Sequence, residues 1–290
     1  NDCMKKKEHF VPQFYLKNFA NTNGFLDIYD CNTSKFKEIQ PNNICYENYL
    51  YETKWCNANK RLGKFVLENG IENIFMQYEK EFAELLKDIS CICNPSQNRK
   101  ALILKTEEKA LLCRFVVNLY LRNPMNMQVM NLDTIPEYVR ENEEIKVMST
   151  LFKQMGLGQM DSLYIAAQKH IMLTEELEES FPQELQKSFR KIDFRFYYAD
   201  EQEFITSDAP VCIGKDQSIQ TEHKICLYLA LTPKIAVLFG NYKESYNAKN
   251  RMLLIDAETV DEFNLQFIRS NKKNRFLIGR SKEILKRYLN

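Results

Sequence analysis

The sequence is short of the residues on which several common functional sites depend. It has three histidines, eight glycines and one tryptophan, and its formal net charge is only +1. So small a net charge excludes binding of a polyanion through bulk attraction, although it leaves room for a local basic groove. Three histidines are too few to favour a metal site built mainly from histidine ligands. Because 44% of the residues are hydrophobic and 27% are charged, the composition is that of an ordinary globular chain.

Several motifs of known chemistry are also missing. There is no glycine-rich phosphate loop, because Gly156 and Gly158 lie between predicted helices and no Lys-Ser/Thr pair follows them. There is no Gly-x-Ser-x-Gly elbow, no paired-histidine zinc motif and no clear Asp…Glu-x-Lys nuclease core. The nine cysteines are irregularly spaced, and Cys91-Ile92-Cys93 has neither the spacing nor the second pair of a zinc ribbon. We therefore expect thiols that are reduced and mostly buried.

No part of the chain is typical of a membrane or secretory segment. No apolar run approaches the roughly 20 residues needed to cross a bilayer. Three lysines near the N-terminus resemble the start of a signal peptide, but Glu8, His9 and Pro12 follow where an apolar stretch would be required. These observations predict no membrane association and a cytoplasmic location.

Three regions that differ in composition and hydrophobic pattern predict an α+β fold in a single domain over residues 1–290. Residues 9–57 are rich in aromatic residues and asparagine, and they contain two period-two segments that favour a short hairpin. Residues 58–190 show helical periodicity, and residues 192–290 turn to strand patterns. The predicted architecture is a helical middle region packed on a mainly antiparallel C-terminal sheet, with a short N-terminal hairpin.

The elements of this fold can be placed along the chain. The N-terminal hairpin is predicted at 26–30 and 36–39, and C-terminal hairpins are predicted at 193–199 with 203–206 and at 225–231 with 235–239, before a strand at 275–278. Helices are predicted from Pro12 onward and at 65–89, 106–122, 134–154, 160–173, 174–190, 257–270 and 281–289. The second long helix should end at Asn123-Pro124, because a residue before proline avoids the α region.

The first polar feature is the segment from His9 to Phe19. If a short helix begins at Pro12, His9 and Gln13 face one side while the aromatic residues anchor the other. One interpretation is an N-terminal helix with an incidental cap. The other is a histidine that transfers protons or binds phosphate, because imidazole titrates near neutral pH.

Two further features lie in the helical region. Glu72 and Glu79 are two helical turns apart and share a face, which for Glu72 is typical of solvated surface, whereas Glu79 lies nearer the apolar stripe. Arg122 lies beside a strongly apolar stripe, one turn after Asn118. An arginine in this setting pairs with a buried carboxylate or clamps a phosphate or carboxylate of a substrate.

The last features lie in the C-terminal region. Phe204-Ile205 leads into Thr206-Ser207-Asp208 and a proline, which is typical of a turn capped by its own side chains. A carboxylate at the end of a strand is also a common catalytic or metal-binding acid. Asn264 lies on the late helix between two phenylalanines.

These pieces, in this order, resemble the proteins of domain-of-unknown-function family 4238. The resemblance extends from about residue 9 to residue 279, and its most specific part is the opening motif His9-x-x-Pro12-Gln13-x-Tyr15-Leu16-x-x-Phe19. The other parts are 26–30, 71–79, 121–124, 206–210, 231–233 and Asn264. The sequence departs from the family at Asn123, where threonine is common. The resemblance implies a shared architecture and a shared polar set: His9, Gln13, Glu79, Arg122, Ser207, Asp208 and Asn264.

Two hypotheses about function follow from this polar set. In the first, the protein is a hydrolase of a phosphodiester or nucleotide, with His9, Glu79, Arg122 and Asp208 as catalytic residues. Gln13, Ser207 and Asn264 would then bind substrate, and Glu79 and Asp208 would hold Mg²⁺ or Mn²⁺ through oxygen. The near-neutral charge favours a small nucleotide or single-stranded nucleic acid, and a nuclease-like defence or accessory protein of bacteria fits this chemistry. In the second, the module binds an anion or a protein without catalysis. The metal, the substrate and the oligomeric state are not fixed by the sequence.

Overall fold

A computed structural model describes residues 7–56, 62–92, 104–157, 160–174, 193–214, 226–240, 251–270 and 274–289. In chain order, its strands are β1 Lys7–His9, β2 Leu26–Asp30, β3 Lys35–Ile39, β4 Tyr46–Asn48, β5 Asp193–Ala199, β6 Thr206–Ser207, β7 Cys212–Gly214, β8 Cys226–Thr232, β9 Ile235–Gly240, β10 Arg251–Ile255 and β11 Phe276–Gly279. Its helices are α1 Gln13–Lys17, α2 Gly70–Ile92, α3 Thr106–Leu121, α4 Pro124–Val129, α5 Glu137–Arg140, α6 Glu143–Gln154, α7 Met160–Thr174, α8 Ala257–Ser270 and α9 Lys282–Arg287. The predicted α+β class is confirmed.

The chain divides into two compact units. Unit 1 comprises Asn1–Phe10, Tyr46–Tyr78 and Leu121–Phe181, and unit 2 comprises Val11–Cys45, Glu79–Tyr120 and Pro182–Asn290. The prediction of one domain over residues 1–290 stays a prediction. None of the helices in the described residues is both long and apolar enough to span a bilayer.

Unit 1 combines a small sheet with helices. Strands β1 and β4 pair antiparallel, with His9 opposite Tyr46. After the predicted stop at Asn123-Pro124, the chain begins the new helix α4, because the Asn123 side chain accepts a hydrogen bond from the backbone N–H of Met125 at 3.0 Å and proline suits the first turn. The helix predicted at 134–154 is broken by Asn142, which caps α6.

Unit 2 contains two sheets. The predicted N-terminal hairpin of β2 and β3 is confirmed, and it belongs to a four-stranded sheet in the order β3-β2-β11-β6. The second sheet has the order β10-β5-β9-β8-β7, and its pairs are antiparallel except for β10 with β5. The hairpin of β8 and β9 is confirmed. Its turn is fixed by the hydroxyl of Thr232, which accepts hydrogen bonds from the backbone N–H groups of Lys234 and Ile235.

The predicted hairpin of 193–199 with 203–206 is wrong. Strand β5 pairs with β9 and β10, whereas β6 lies in the other sheet beside β11. Strand propensity and a polar turn do not specify the partner of a strand, and β5 is a central strand with Phe194, Phe196 and Ala199 fully buried. The helix predicted at 174–190 falls outside the described residues except for Thr174, where α7 ends.

Tyr15 joins helix α1 to both sheets of unit 2. Its side chain is fully buried, and its hydroxyl donates to the carbonyl oxygen of Ala230 in β8 at 2.6 Å. The same hydroxyl lies 2.8 Å from the Oγ1 of Thr206 in β6. A buried phenol needs such partners because an unpaired hydroxyl in an apolar core costs about 1–3 kcal/mol. The aromatic part of Tyr15 packs on Phe19 and Phe115.

Asn264 holds the segment between β5 and β6 against helix α8. Its side chain is fully buried, and its Oδ1 accepts a hydrogen bond from the N–H of Ile205 at 3.1 Å. Its Nδ2 donates to the carbonyl oxygen of Glu203 at 3.0 Å and to the hydroxyl of Tyr288 at 2.8 Å. All of these partners are protein groups of unit 2, so the amide stabilises the fold directly.

We expect Asn264→Ala to lower the free energy of unfolding by about 2–4 kcal/mol, because it leaves buried backbone groups without partners. Urea denaturation followed by circular dichroism measures this loss. Gln266→Ala is the matched control, since Gln266 is an exposed amide on the same helix and should change stability by about 0.5 kcal/mol or less. Equal effects of the two substitutions would contradict a structural role for Asn264.

Candidate functional site

Strand β1 places Glu8 and His9 on opposite faces of unit 1. Side chains alternate along a strand, and here Glu8 is fully buried while His9 is half-buried. The imidazole of His9 packs beside the ring of Tyr46, with 5.5 Å between the ring centroids. The structure therefore leaves the imidazole partly exposed and buries the neighbouring carboxyl.

The main chain at His9 is held by two buried side chains. Arg122 is 1% exposed, and its Nη2 donates a hydrogen bond to the carbonyl oxygen of His9. Tyr51 donates its hydroxyl to the same carbonyl at 3.3 Å and accepts from the Nε of Arg122 at 3.3 Å. The guanidinium carbon of Arg122 also lies 4.3 Å from the centroid of the Phe75 ring, a cation–π contact. These contacts fix the strand from which the imidazole projects.

Two buried carboxyls lie on the inner side of the same strand. Glu8 accepts a hydrogen bond on Oε2 from the backbone N–H of Tyr51 at 2.7 Å, and Glu52 accepts one on Oε1 from the N–H of Asn69 at 2.8 Å. Their other oxygens, Oε1 of Glu8 and Oε2 of Glu52, are buried without a donor in the described part of the chain. Burial and the charge of Glu52 both raise the pKa of Glu8. Two neighbouring carboxylates in a buried setting favour retention of a proton, so we infer that the pair keeps one.

Burial explains why this pair keeps a proton. Removal from water raises the pKa of Glu8 from its ordinary value of 4.5 to about 8, against the opposing effect of the Tyr51 N–H, and the charges of Glu52 and Glu72 raise it further. Burial likewise raises the pKa of Glu52. The pKa of the Tyr51 hydroxyl is raised by burial against the opposing charge of Arg122, so this hydroxyl stays neutral and able to donate.

Glu72, expected to lie on a solvated helix face, is 9% exposed, so this expectation is wrong. Helix α2 begins at Gly70 and not at the predicted Phe65, which places Glu72 in its first turn. Asn69, immediately before the helix, has a positive φ of 55°. Carboxylates near a helix N-terminus interact favourably with its unpaired N–H groups, and both Glu72 and the Asn69-bound Glu52 occupy such positions.

In unit 2, Ser207 and Asp208 lie where β6 meets β11. The Asp208 carboxylate accepts hydrogen bonds from the backbone N–H groups of Arg275 at 3.2 Å and Phe276 at 3.0 Å. Burial raises the pKa of Asp208, against the lowering effect of these hydrogen bonds. The hydroxyl of Ser207 accepts from the N–H of Ala209 at 3.0 Å. These bonds fit the interpretation of a turn capped by its own side chains, and the catalytic role of Asp208 stays a prediction.

The remaining predicted residues of unit 2 are Gln13, Glu79 and Asn264. Gln13 begins helix α1 and Glu79 lies in α2, and both are half-buried, whereas the fully buried Asn264 makes the backbone contacts described above. Within the described ranges, no group of three or more His, Cys, Asp or Glu side chains is arranged to hold a metal ion. The binding of Mg²⁺ or Mn²⁺ by Glu79 and Asp208 stays a prediction.

The structure brings together His9 and Arg122 in unit 1, and Ser207 and Asp208 in unit 2. The convergence of the full polar set in one pocket stays a prediction. Sequence reasoning did not identify Tyr51, Glu8 and Glu52, which complete the arrangement around His9. A weak signal was present, because Glu8 stands next to the histidine of the opening motif in a segment where strand alternation would turn it inward.

Tyr51→Phe should lower the free energy of unfolding by about 1–3 kcal/mol, because both Arg122 and the His9 carbonyl lose a partner in a buried setting. Chemical denaturation of the two proteins measures the difference. Tyr49→Phe serves as the control, since Tyr49 is a half-buried tyrosine of the same unit. If Tyr51→Phe is as stable as the control, the hydroxyl does not hold β1 in place.

A second prediction concerns pH. The native pair of Glu8 and Glu52 keeps a proton that an unfolded glutamate releases near pH 4.5, so unfolding releases a proton between pH 4.5 and about 8. The stabilisation from this pair is complete below pH 4.5 and is lost as the pH rises towards 8, by at most about 1.4 kcal/mol per pH unit.

Glu8→Gln replaces the protonated carboxyl by a neutral amide of the same shape, so we expect a flatter dependence of stability on pH between 5 and 8. Denaturation curves over this range compare the wild type with Glu8→Gln and with Glu47→Gln, an exposed glutamate opposite Glu8 in β4. The control should keep the wild-type slope. Parallel curves for the wild type and Glu8→Gln would show that the pair holds no extra proton.

Comparison with known proteins identifies a family but no characterised relative. No curated protein and no solved structure matches the chain. The family described as "Protein of unknown function (DUF4238)" matches residues 7–283. The resemblance seen in the sequence is thereby confirmed, and since the match spans most of its length, the chain belongs to the DUF4238 family.

Proposed function

We propose that this protein is a hydrolase of a phosphate-bearing substrate, a nucleotide or a phosphodiester, and that His9 is its proton-transfer group. The observation that carries the proposal concerns His9 in β1. Its imidazole is only half-buried, while its own carbonyl oxygen is held by the buried side chains of Arg122 and Tyr51. An acid or base must be both accessible and fixed in position to work efficiently. Of the predicted catalytic residues in unit 1, His9 alone combines the two properties.

We propose a different role for Arg122. The first hypothesis above counts it among the catalytic residues, but at 1% exposure its guanidinium is directed to the carbonyl of His9 and to the Tyr51 hydroxyl. We assign it as a positioning residue, which acts on the reaction through the strand that carries the imidazole. Its fixed positive charge in a buried setting also favours an anionic substrate near β1.

The small net charge of the chain favours a small nucleotide or a single-stranded nucleic acid over a long duplex as the substrate. A nuclease-like defence or accessory role in bacteria is consistent with this substrate class. Six cysteines in the described part of the chain are free thiols: Cys31, Cys45, Cys56, Cys91, Cys113 and Cys212. Free thiols support a reducing compartment such as the cytoplasm.

His9→Gln should lower kcat by about 100-fold or more, because general acid–base catalysis contributes about 10²–10⁴ to the rate. The substrates are p-nitrophenyl phosphate, bis(p-nitrophenyl) phosphate, nucleoside monophosphates and short single-stranded RNA and DNA. His170→Gln is the matched control, since His170 is a half-buried histidine of unit 1 on helix α7. Melting curves of both variants establish that they are folded.

Each outcome of this experiment decides the proposal. Hydrolysis that is lost in His9→Gln and kept in His170→Gln supports it, and a matching loss of kcat at unchanged KM in Arg122→Lys supports positioning. Hydrolysis that persists in His9→Gln, or no hydrolysis of any substrate by the wild type, overturns it.

A second candidate function is anion binding without catalysis. It is favoured by the hydrogen bonds that already engage Arg122, Asp208 and Asn264 with protein groups, as expected of a structural network. In that case inorganic phosphate raises the melting temperature of the wild type but not of His9→Gln, and no turnover accompanies binding.

A further inference from the structure

Unit 1 contains a cavity that the proposed function does not use. It lies among helices α5, α6 and α7, and its volume is about 340 Å³. This volume falls at the lower end of the range of about 300–1,000 Å³ found for small-molecule sites. None of the residues assigned to the proposed hydrolytic site lines it. The cavity is therefore a separate feature that needs its own interpretation.

Half of the residues that line the cavity are apolar or aromatic. The most buried of them are Ile135 and Val139, which are 8% and 6% exposed. Ile145, Met160 and the ring of Tyr164, all half-buried, continue this lining. The two buried aliphatic side chains offer no hydrogen-bonding group, so the space beside them suits a hydrocarbon and not the polar edge of a nucleobase.

The rim of the cavity is charged. Arg140, Lys146 and Asp161 line the cavity and are exposed. The Nζ of Lys146 is already paired with the carboxylate of Glu143 at 2.6 Å. Arg140 forms no ion pair with any residue that the structure describes, so its guanidinium is the cation available at the rim. Arginine is suited to a carboxylate, because its planar N–H groups match the two oxygens.

We propose that this cavity binds an amphiphilic carboxylate, a medium-length hydrocarbon chain that ends in one carboxylate group. The hydrocarbon occupies the space in front of Ile135 and Val139, and the carboxylate pairs with Arg140. The order of burial, with aliphatic groups inside and the cation outside, matches the order of polarity along such a molecule. A nucleotide fits less well, because its base would meet the aliphatic side chains of Ile135 and Val139.

The test measures binding of decanoate to the whole protein by isothermal titration calorimetry, with decanol and decyltrimethylammonium as probes of the head group. Decanoate should bind more tightly than decanol, and the cationic probe should not bind. Arg140→Gln should weaken decanoate about tenfold or more and leave decanol unchanged, because it removes a charge-assisted hydrogen bond and keeps the apolar interior. Arg269→Gln, an exposed arginine of α8 in unit 2, should bind decanoate like the wild type.

A second variant tests the location. Ser149 lines the cavity and is half-buried, so Ser149→Phe should fill it and abolish binding of both decanoate and decanol. Equal decanoate affinity in Arg140→Gln and the wild type, or unchanged binding in Ser149→Phe, overturns the proposal. Binding of adenosine monophosphate in place of decanoate, when lost in Ser149→Phe, also overturns it. Because Arg140 lies on the surface, its variant keeps the test decisive even if Ser149→Phe is unstable.

Discussion

A buried ionisable or hydroxyl group must find a partner or give up its charge, and this constraint organises both units of the protein. In unit 1, Arg122 keeps its charge and fixes the carbonyl of His9, whereas burial raises the pKa values of the neighbouring Glu8 and Glu52, so that we infer a retained proton on this pair. In unit 2, the Tyr15 hydroxyl stays neutral and joins a helix to two sheets. The same requirement thus has different consequences for different buried groups. Arg122 fixes a strand, the carboxyl pair takes a raised pKa, and Tyr15 connects a helix to two sheets.

The constraint also separates residues that hold the fold from those that are available for chemistry. Side chains that bond to the backbone over long sequence distances, as Asn264 and Asp208 do, replace the missing partners of loops and strand ends. Such residues have a structural use for their polarity, so their polarity alone does not indicate a reaction. His9 differs, because its main chain is held while its ring remains half-buried beside Tyr46. A fixed but accessible imidazole is the arrangement that proton transfer requires.

Most of the local structure could be predicted from the sequence, because helices, strands and turns depend on periodicity and capping residues that lie close together in the chain. The alternation in Leu26–Asp30, the Thr232 turn and the stop at Asn123-Pro124 all have short-range causes. The prediction of strand pairing failed, because pairing depends on residues that are distant in the chain. Nothing near Asp193–Ala199 specifies that this strand pairs with β9 and β10. The same holds for the site. The side chains around His9 meet through tertiary packing, so Tyr51 and Glu52 gave no signal, and the depth at which Glu72 is buried depends on where α2 begins.

The pairing of β2 with β11 has a consequence for the synthesis of the protein. Ile28 pairs with Ile278, so the inner strand of the N-terminal hairpin is synthesised long before the strand that completes its pairing. Pairings between segments so distant in sequence carry a high loop-closure entropy and form slowly. On the ribosome, the hairpin of β2 and β3 emerges with one edge unpaired, and it remains a template for wrong pairing until β11 is made. Nascent chains truncated before residue 276 should therefore depend on chaperones far more than chains that contain β11.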